Sequence, residues 1–554
     1  MDAVDLTAPP FGLDATGTAW VEATLAGLTP DERIAQLFVL ISRGDPGEEP
    51  RTLARLKPGG ITRFHGPDLA AEVGFARDFI AASPVPPLLS ADLEGSRMSL
   101  PFGTAVPNPL GLAAVDDTAA TERIAEIMAR EARAIGLNWS FTPVIDINRA
   151  FRSAIVGTRS FGSDVARIER HALAMIRAFQ REGVAATVKH WPGEGYDDRD
   201  QHLVTTVNPL GMEAWEESFG RLYRAAIEAG VMAVMSAHVA FPAFVRSLDP
   251  GAGLEAFRPA SLSRALNVEL LRGRLGFNGL IVSDATPMAG FGAWASRDLA
   301  IPEVIAGGCD VILFADEPER DMERVRRAVS DGRIPEARLD DALRRILGLK
   351  AALGLHRAAP PELAAARAAL ATPESLAVAK AVTARVPTLV KDVRGLLPLD
   401  PARHRRVLVY SGGIVHPLAP AGPFVLPELL AREGFEVTLH APGSGLEPRD
   451  FDLVVYLFGD ETLLTRASIF IDWMKLAGDL HGAMDRPWHD VPTLMISFGY
   501  PYLLYDAPRV PAYVNAYGTH DRVQEAVLEC LMGRAPFAGQ SPVDPFCGLE
   551  DARF

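Results

Sequence analysis

The chain has 554 residues, of which 48% are hydrophobic, 23% charged and 8% aromatic. That length is too great for one ordinary hydrophobic core and predicts about two to four domains, and the composition excludes a disordered chain. With 55 basic and 70 acidic residues, the net charge of −15 disfavours nucleic acids and anionic lipid surfaces as partners.

The cysteines and the first residues bear on the cellular compartment. Cys309, Cys530 and Cys547 are odd in number and lack metal-ligand spacing, which predicts neither a disulfide framework nor a zinc site. The chain begins with an acidic segment that has no basic start followed by an apolar stretch, and no later apolar run approaches the ~18 residues of a membrane span. We therefore predict a cytoplasmic protein with no membrane partner.

Short β-branched runs alternate with long amphipathic segments between about residues 30 and 350. This alternation predicts βα units around a parallel sheet. Seven or so such units suit an α/β fold of the (β/α)8 TIM-barrel type over residues 1–355. The predicted strands are 59–64, 86–92, 138–147, 185–190, 231–238, 279–285 and 309–316, and the predicted helices are 117–135 (capped by Asp116 or Asp117), 164–182, 213–229, 262–275, 319–331 and 337–353.

The pattern changes after the barrel. Residues 356–375 are rich in Ala and Pro and are predicted to form a linker. Residues 376–554 return to apolar runs separated by helical segments, which predicts a doubly wound α/β sandwich domain. No glycine-rich phosphate loop follows any of these runs, so a nucleotide-binding role has no support. The predicted strands of this domain are 406–412, 435–441, 452–459, 492–499 and 512–518.

Most of the predicted barrel strands end in a polar residue. Active sites of such barrels lie where the strands end, so these side chains are predicted to surround one mouth. For any one of them, an ordinary loop or helix-capping role is an equally good interpretation. The residues are Asp92, Asp146, His190, His238, Asp284 and Asp316.

The densest polar cluster is residues 189–202, which follow a predicted strand directly. Asp200 and His202 are two positions apart in this glycine-containing loop, where a carboxylate can orient an imidazole for general acid and base catalysis. A solvated charged loop is the plainer interpretation. A metal site using His190 and His202 is also conceivable, but the spacing matches no metal-binding signature.

Asp284 ends the apolar run 279–283. A carboxylate on a rigid strand end can act as a nucleophile or stabilise a cation in glycosyl transfer. The alternative is a structural role, in which Asp284 caps the next helix or binds loop amides.

Taken in order, six segments resemble family 3 glycoside hydrolases, in particular the β-N-acetylglucosaminidase branch. Residues 92–97 are similar to the branch's Asp-x-Glu-Gly-Gly-Arg segment, and residues 189–193 to Lys-His-Phe-Pro-Gly. Residues 200–202 are similar to its Asp-Ser-His loop, and 282–284 to its nucleophile segment. The remaining similar segments are 141–146 and 157–162.

This resemblance implies a retaining, exo-acting glycosidase that removes terminal β-linked N-acetylglucosamine. Asp284 is then the nucleophile that forms a covalent glycosyl ester, and His202 is the acid/base, oriented by Asp200. No metal or organic cofactor is expected, and the second domain is expected to be structural. The sugar-binding residues implied by the resemblance are Asp92, Arg159, Lys189 and His190.

The sequence departs from the branch at a few positions. Glu194 stands where the branch usually has His, Gln201 replaces Ser, and Ser96 replaces Gly. The residues after Asp284 also differ from the usual ones, and these changes bear on the preferred substrate. Trp139 and Trp191 are interpreted mainly as packing residues, with stacking on a sugar face as the alternative.

Three alternatives to this function remain open. A β-glucosidase or β-xylosidase of the same family would need an acid/base Glu from the second domain. A sugar-binding barrel protein without catalysis would use the same residues for affinity alone. Finally, phosphate could replace water as the acceptor, because a neutral histidine base repels an anion less than a carboxylate does.

Overall fold

Eight parallel strands form a closed ring in the first part of the chain. The structure, a computed structural model, describes residues 4–44, 47–416 and 419–554. Strands β10-β1-β2-β3-β4 form a five-strand arc and β5-β7-β9 a three-strand arc. Isolated bridges join the arcs, from Trp139 to Ala185, from Val144 to Lys189 and from Val282 to Val311. This confirms the predicted barrel. Its strands are β1 (Phe38–Ser42), β2 (Gly60–Arg63), β3 (Leu88–Ala91), β4 (Trp139–Ser140), β5 (Thr187–Trp191), β7 (Ala233–Ser236), β9 (Leu280–Ser283) and β10 (Ile312–Leu313).

Helices surround these strands and begin at capping residues that the sequence supplies. Asp117 caps its helix by accepting hydrogen bonds from the amides of Ala119 and Ala120. The α-helices are α1 (Ala15–Gly27), α2 (Pro30–Ala35), α3 (Glu49–Ala54), α4 (Leu69–Ala82), α5 (Pro109–Val115), α6 (Thr118–Ala134), α7 (Val165–Arg181), α8 (Met212–Trp215), α9 (Arg221–Glu228), α10 (Pro242–Leu248), α11 (Ala289–Gly292), α12 (Arg297–Ala306), α13 (Pro318–Ser330) and α14 (Glu336–Ala352).

Several shorter elements complete the barrel region. A two-stranded pair, β6 (Thr206–Val207) with β8 (Val239–Ala240), lies outside the ring. The segments Glu216–Gly220 and Ala265–Arg274 are π-helical. The 3-10 turns are Gly157–Arg159, Gly253–Phe257, Ala260–Leu262 and Leu355–Arg357.

The ring contains one strand that the sequence patterns did not predict. The apolar run of β1 follows α2 after only two residues, so it reads as a continuation of the helical pattern before it. It pairs with β10 and β2 and thereby closes the ring. The strands predicted at 138–147 and 309–316 are much shorter in the structure, where only β4 and β10 are regular.

The second domain is a six-stranded sheet in the order β11-β16-β15-β14-β12-β13. All five predicted strands are present and parallel, while β11 is an unpredicted antiparallel edge strand against β16. The strands are β11 (Thr388–Asp392), β12 (Arg406–Ile414), β13 (Glu436–Leu439), β14 (Leu453–Gly459), β15 (Thr493–Ser497) and β16 (Ala512–Asn515). Its α-helices are α17 (Leu426–Arg432), α18 (Trp473–Ala477), α19 (Leu480–Met484) and α20 (Asp521–Leu531), and its 3-10 turns are Pro448–Asp450, Pro487–His489, Leu503–Tyr505 and Glu550–Arg553.

The segment 356–375, predicted as a linker, is partly helical. Helix α15 (Leu363–Ala369) lies within it, and α16 (Pro373–Thr383) begins inside it. Ala366 and Leu370 are buried in the barrel's hydrophobic core, so this segment packs on the barrel. The exact domain boundaries stay a prediction.

One face of the second sheet packs against the barrel. A hydrophobic core combines Leu110, Ala114 and Ala154 of the barrel with strand residues such as Val454 and Met495. Polar contacts also cross between the domains, because Arg97 donates hydrogen bonds to the carbonyls of Val415 (2.5 Å) and Thr462 (2.7 Å), and the Tyr500 hydroxyl donates to the carbonyl of Phe151. The far face of the sheet has a core of its own.

Among the described residues, no helix is long and apolar enough to cross a lipid bilayer. The cytoplasmic location stays a prediction.

Candidate active site

The predicted site residues come from several strand ends of the barrel. Asp92 follows β3, Lys189 and His190 lie in β5, and Asp284 follows β9. Arg159 ends the 3-10 turn after β4, and Asp200 and His202 lie in the loop after β5. This is the end of a (β/α)8 barrel at which active sites form.

Asp200 and His202 form a hydrogen-bonded pair. The Nδ1 of His202 lies 2.7 Å from Oδ1 of Asp200, and the backbone amide of His202 donates to the same oxygen at 2.8 Å. The carboxylate is buried, whereas 24% of the His202 side chain is exposed. Because Nδ1 is engaged by Asp200, Nε2 is the nitrogen left to exchange a proton with a ligand.

The second domain also holds this pair. The backbone amide of Thr465 donates a 2.9 Å hydrogen bond to Oδ2 of Asp200. Both carboxylate oxygens of Asp200 therefore have donors, one from the barrel loop and one from the other domain. Sequence patterns could not indicate this contact, because it involves a main-chain amide 265 positions away.

Asp284 is buried beside three histidines. Its Oδ1 accepts a hydrogen bond from the amide of Ala285 at 2.7 Å, and no described residue forms an ion pair with it. Burial raises the pKa of Asp284, but the nearby histidines outweigh burial and hold that pKa below its usual value. The carboxylate is therefore ionised at neutral pH and can act as a nucleophile. The histidines are His238, His190 and His202.

Three of the four predicted sugar-binding residues belong to one buried charge cluster. The Nζ of Lys189 lies 2.6 Å from Asp92 and 2.7 Å from Glu94. Arg159 binds Glu94 through two 2.9 Å hydrogen bonds. Of these carboxylates, Asp92 has 28% of its side chain exposed and Glu94 only 2%, so Asp92 is the one placed to reach a ligand.

The fourth, His190, is fixed by Asp146. Its Nδ1 lies 2.6 Å from Oδ2 of Asp146, while its backbone amide donates to Oδ1 of that residue at 3.0 Å. Its Nε2 lies 3.4 Å from Nη2 of Arg159. The carboxylate thus sets the orientation of the ring, as Asp200 does for His202.

Asp146, His190 and Glu194 could together approach a cation, since one ligand atom from each lies within 4.8 Å of the others. However, Asp146 and His190 already share a hydrogen bond, and the Arg159 guanidinium lies against the same imidazole. We interpret the group as a hydrogen-bonded cluster. The independence of the protein from metals stays a prediction.

Two other strand-end residues have structural partners. His238 is fully buried, with Nδ1 2.9 Å from the Ser261 hydroxyl and Nε2 2.9 Å from the Ala285 carbonyl. Burial lowers the pKa of His238. Asp316 has 49% of its side chain exposed and pairs with Arg297 at 3.3 Å.

The two tryptophans are packing residues, and the alternative of stacking on a sugar is wrong. Both side chains are fully buried. Trp139 donates to the Thr187 hydroxyl at 2.7 Å, and Trp191 packs edge-on against Trp215 and Tyr223. Neither ring has an open face.

A cleft of ≈ 450 Å³ lies beside the loop that carries the acid/base pair. Asp197, Asp198 and Arg199 of that loop line one side, and Arg149 and Arg152 line another. None of the predicted site residues lines it. The cleft is thus next to the candidate site and not identical with it.

Comparison with known proteins assigns the family. Residues 29–349 match the family model described as the glycosyl hydrolase family 3 N terminal domain. The chain belongs to glycosyl hydrolase family 3. This confirms the resemblance found in the sequence and makes the protein a glycosidase that acts on β-linked sugars.

Full-length relatives carry different names. A protein of Cellulomonas fimi named beta-N-acetylglucosaminidase/beta-glucosidase is 42% identical over 99% of both chains. A solved structure titled beta-glucoside phosphorylase BglX is 35% identical, with a TM-score of 0.91 over 98% of this chain and 99% of that one. A beta-N-acetylglucosaminidase from Paenibacillus sp. str. FPU-7 is 25% identical, with a TM-score of 0.79 over 94% of this chain and all of that one.

Proposed function

We propose that this glycosidase removes terminal β-linked N-acetylglucosamine with retention of configuration, using Asp284 as nucleophile and His202 as acid/base. The observation that carries the proposal is the 2.7 Å bond between Asp200 and His202, in the loop near Asp284, whose carboxylate forms no ion pair with a described residue and has a pKa held below its usual value. A nucleophile next to an oriented proton donor is what double displacement requires.

The mechanism has two displacements. A carboxylate oxygen of Asp284 attacks the anomeric carbon, the glycosidic bond breaks, and protonated His202 gives its Nε2 proton to the departing oxygen. A glycosyl ester of Asp284 results. His202 then takes a proton from the acceptor, whose oxygen attacks the same carbon, and the bond to Asp284 breaks.

The alternative of a second-domain acid/base has less support. Glu461 of that domain is buried and hydrogen-bonded to the 92–97 segment. Its Oε1 accepts from the Ser96 hydroxyl (2.8 Å) and from both the amide and hydroxyl of Thr519, while Oε2 accepts from Asn108. These four hydrogen bonds place Glu461 in a contact between the barrel and the second domain, which is a structural role.

The test compares para-nitrophenyl β-N-acetylglucosaminide with the β-glucoside. We expect the acetamido sugar to be preferred, Asp284→Asn to lose about 1,000-fold or more in kcat, and His202→Ala to lose about 100-fold or more on kcat/KM. His481→Ala, an exposed histidine on α19, is the matched control and should be unchanged. Near wild-type turnover by Asp284→Asn would refute the mechanism.

Phosphate is the second candidate acceptor. It is favoured by the full-length likeness to a structure titled beta-glucoside phosphorylase and by an imidazole, in place of a carboxylate, as the base. In this version a phosphate oxygen attacks the glycosyl ester and a sugar 1-phosphate leaves, with no other change to the steps. The β-glucoside named in that title is also the alternative sugar.

Phosphorolysis is tested by the product. We expect wild-type turnover to rise with added phosphate and sugar 1-phosphate to appear in proportion, as seen by phosphorus NMR. Free sugar alone at every phosphate concentration would leave water as the acceptor.

A further inference from the structure

Gln201 is a buried side chain between the two residues of the acid/base pair. Its Nε2 donates a 3.0 Å hydrogen bond to Oε2 of Glu194, and its Oε1 accepts one of 3.0 Å from the backbone amide of His238. Only 1% of Gln201 and 3% of Glu194 is exposed. The side-chain amide of Gln201 therefore links the loop that carries Asp200 and His202 to the ends of β5 and β7.

Glu194 extends this connection to His190, which is predicted to bind the sugar. Its backbone amide donates to Oδ1 of Asp146 at 2.9 Å, and the same oxygen accepts from the amide of His190 at 3.0 Å. The Oε2 of Glu194 lies 3.7 Å from Nδ1 of His190. A continuous set of hydrogen bonds thus runs from His190 through Asp146 and Glu194 to Gln201.

The charge state of Glu194 suits this role. Burial raises its pKa, and repulsion from Asp146 and Asp284 adds to that rise, while Arg159 opposes it. A neutral carboxyl at Glu194 can lie near the carboxylates of Asp146, Asp284 and Asp200 without repelling them. Its carbonyl oxygen can still accept the hydrogen bond from Gln201. The raised pKa favours the protonated form of Glu194, in which the side chain adds no negative charge beside Asp284.

We propose that Glu194 and Gln201 are positioning residues. Their hydrogen bond holds the Asp200–His202 pair at the correct position relative to the sugar that His190 binds. The inference rests on the proposed role of His202 as acid. Glu194 and Gln201 are two of the positions at which this chain differs from the family motifs that it resembles, and their side chains are hydrogen-bonded to each other.

The test uses leaving groups that differ in their need for a proton. Dinitrophenolate departs without protonation, whereas phenolate needs the acid. Gln201→Met keeps the volume and removes both hydrogen bonds. We expect it to lower kcat/KM about 10-fold for the phenyl glycoside and less than about threefold for the 2,4-dinitrophenyl glycoside, because a displaced acid loses only its own contribution.

Glu194→Gln is the matched control, since its carbonyl can still accept from Gln201, and it should keep kcat/KM within about twofold for both substrates. Glu194→Ala should repeat the effect of Gln201→Met, which provides a second variant should the first not fold, as judged by circular dichroism. Equal losses for both leaving groups, or no loss, would overturn the inference. If His202→Ala lowers kcat/KM equally for the two leaving groups, the assignment of His202 as the acid is wrong instead.

Discussion

At the scale of single residues, the site depends on buried charges that satisfy one another. Glu94 accepts from both Arg159 and Lys189 and is 2% exposed. Burial raises the pKa of Glu94, but the two cations outweigh it and lower that pKa to about 2. Glu94 is therefore the carboxylate that pairs with the buried Arg159, and it shares Lys189 with Asp92.

We predict that Glu94→Ala lowers the free energy of unfolding by about 3–5 kcal/mol at neutral pH, because it leaves the buried Arg159 without its ion-pair partner. Since the folded pKa lies below the unfolded one, the stabilisation is fully present above pH about 4.5 and is lost as the pH falls through about 2. Urea unfolding of both proteins at pH 7 and pH 3 measures this.

An exposed pair supplies the control for Glu94→Ala. Glu428 lies 3.6 Å from Arg432 with 76% of its side chain exposed, so Glu428→Ala should cost less than about 1 kcal/mol. A Glu94→Ala loss as small as this, or one that grows as the pH falls, would contradict the prediction.

The candidate catalytic residues could be predicted from the sequence, whereas their hydrogen-bond and ion-pair partners could not. Asp200 and His202 are two positions apart, and Asp284 ends an apolar strand, so local patterns indicated all three. Arg159 pairs with a carboxylate 65 positions earlier, and only the folded ring brings them together. The roles of the candidate residues therefore stay predictions, although the structure places them at one mouth.

At the scale of elements, the short helix α11 packs directly against the acid/base loop. The amide of Ala289 donates to the carbonyl of His202 at 3.0 Å, and that of Gly290 to the carbonyl of Gln201 at 3.2 Å. A Cβ on Gly290 would lie 2.4 Å from the Gln201 carbonyl oxygen, a distance that requires backbone movement. Glycine at 290 permits this close approach.

We predict that Gly290→Ala displaces the loop and lowers kcat/KM about 10-fold for a phenyl glycoside, as a displacement of catalytic groups does. Gly292→Ala is the control on the same helix, because nothing lies within 4 Å of its Cβ position. It should leave kinetics unchanged. Similar kinetics for the two variants would show that this packing does not set the loop position.

Elements were predictable where the sequence pattern was long. The helices at 118–134 and 165–181 fill their predicted ranges to within about two residues, because caps and a 3.6-residue period mark them. β1 and β11 were not predicted, since a short apolar run carries no period that separates strand from helix. Both became strands through pairing with distant neighbours.

At the scale of the whole molecule, the second domain contacts the predicted acid/base pair of the barrel. Its Thr465 amide is one of the donors that hold Asp200, which adds a positioning role to the structural one expected from the sequence. Thr465 has φ of 60°, a backbone conformation that glycine adopts readily and proline cannot.

We predict that Thr465→Pro, which removes the amide donor and cannot adopt this φ, lowers kcat/KM about 10-fold for a phenyl glycoside. Thr465→Gly keeps the donor and should stay within about twofold. Steady-state kinetics with a thermal melt of each variant separates loss of catalysis from loss of fold. Equal activity of both variants would assign the orientation of Asp200 to the barrel alone.

Isolated bridges join the two arcs of the barrel, two of them between the β4 and β5 segments and one between β9 and the residue before β10, and the site residues are divided between the arcs. Asp92 and Asp146 follow strands of the five-strand arc, while Lys189, His190 and Asp284 belong to the three-strand arc. A sugar held by residues of both sets would contact both arcs across the junction of β4 and β5. Substrate would then act as a cross-link, so the barrel should be most rigid at the moment when catalysis occurs.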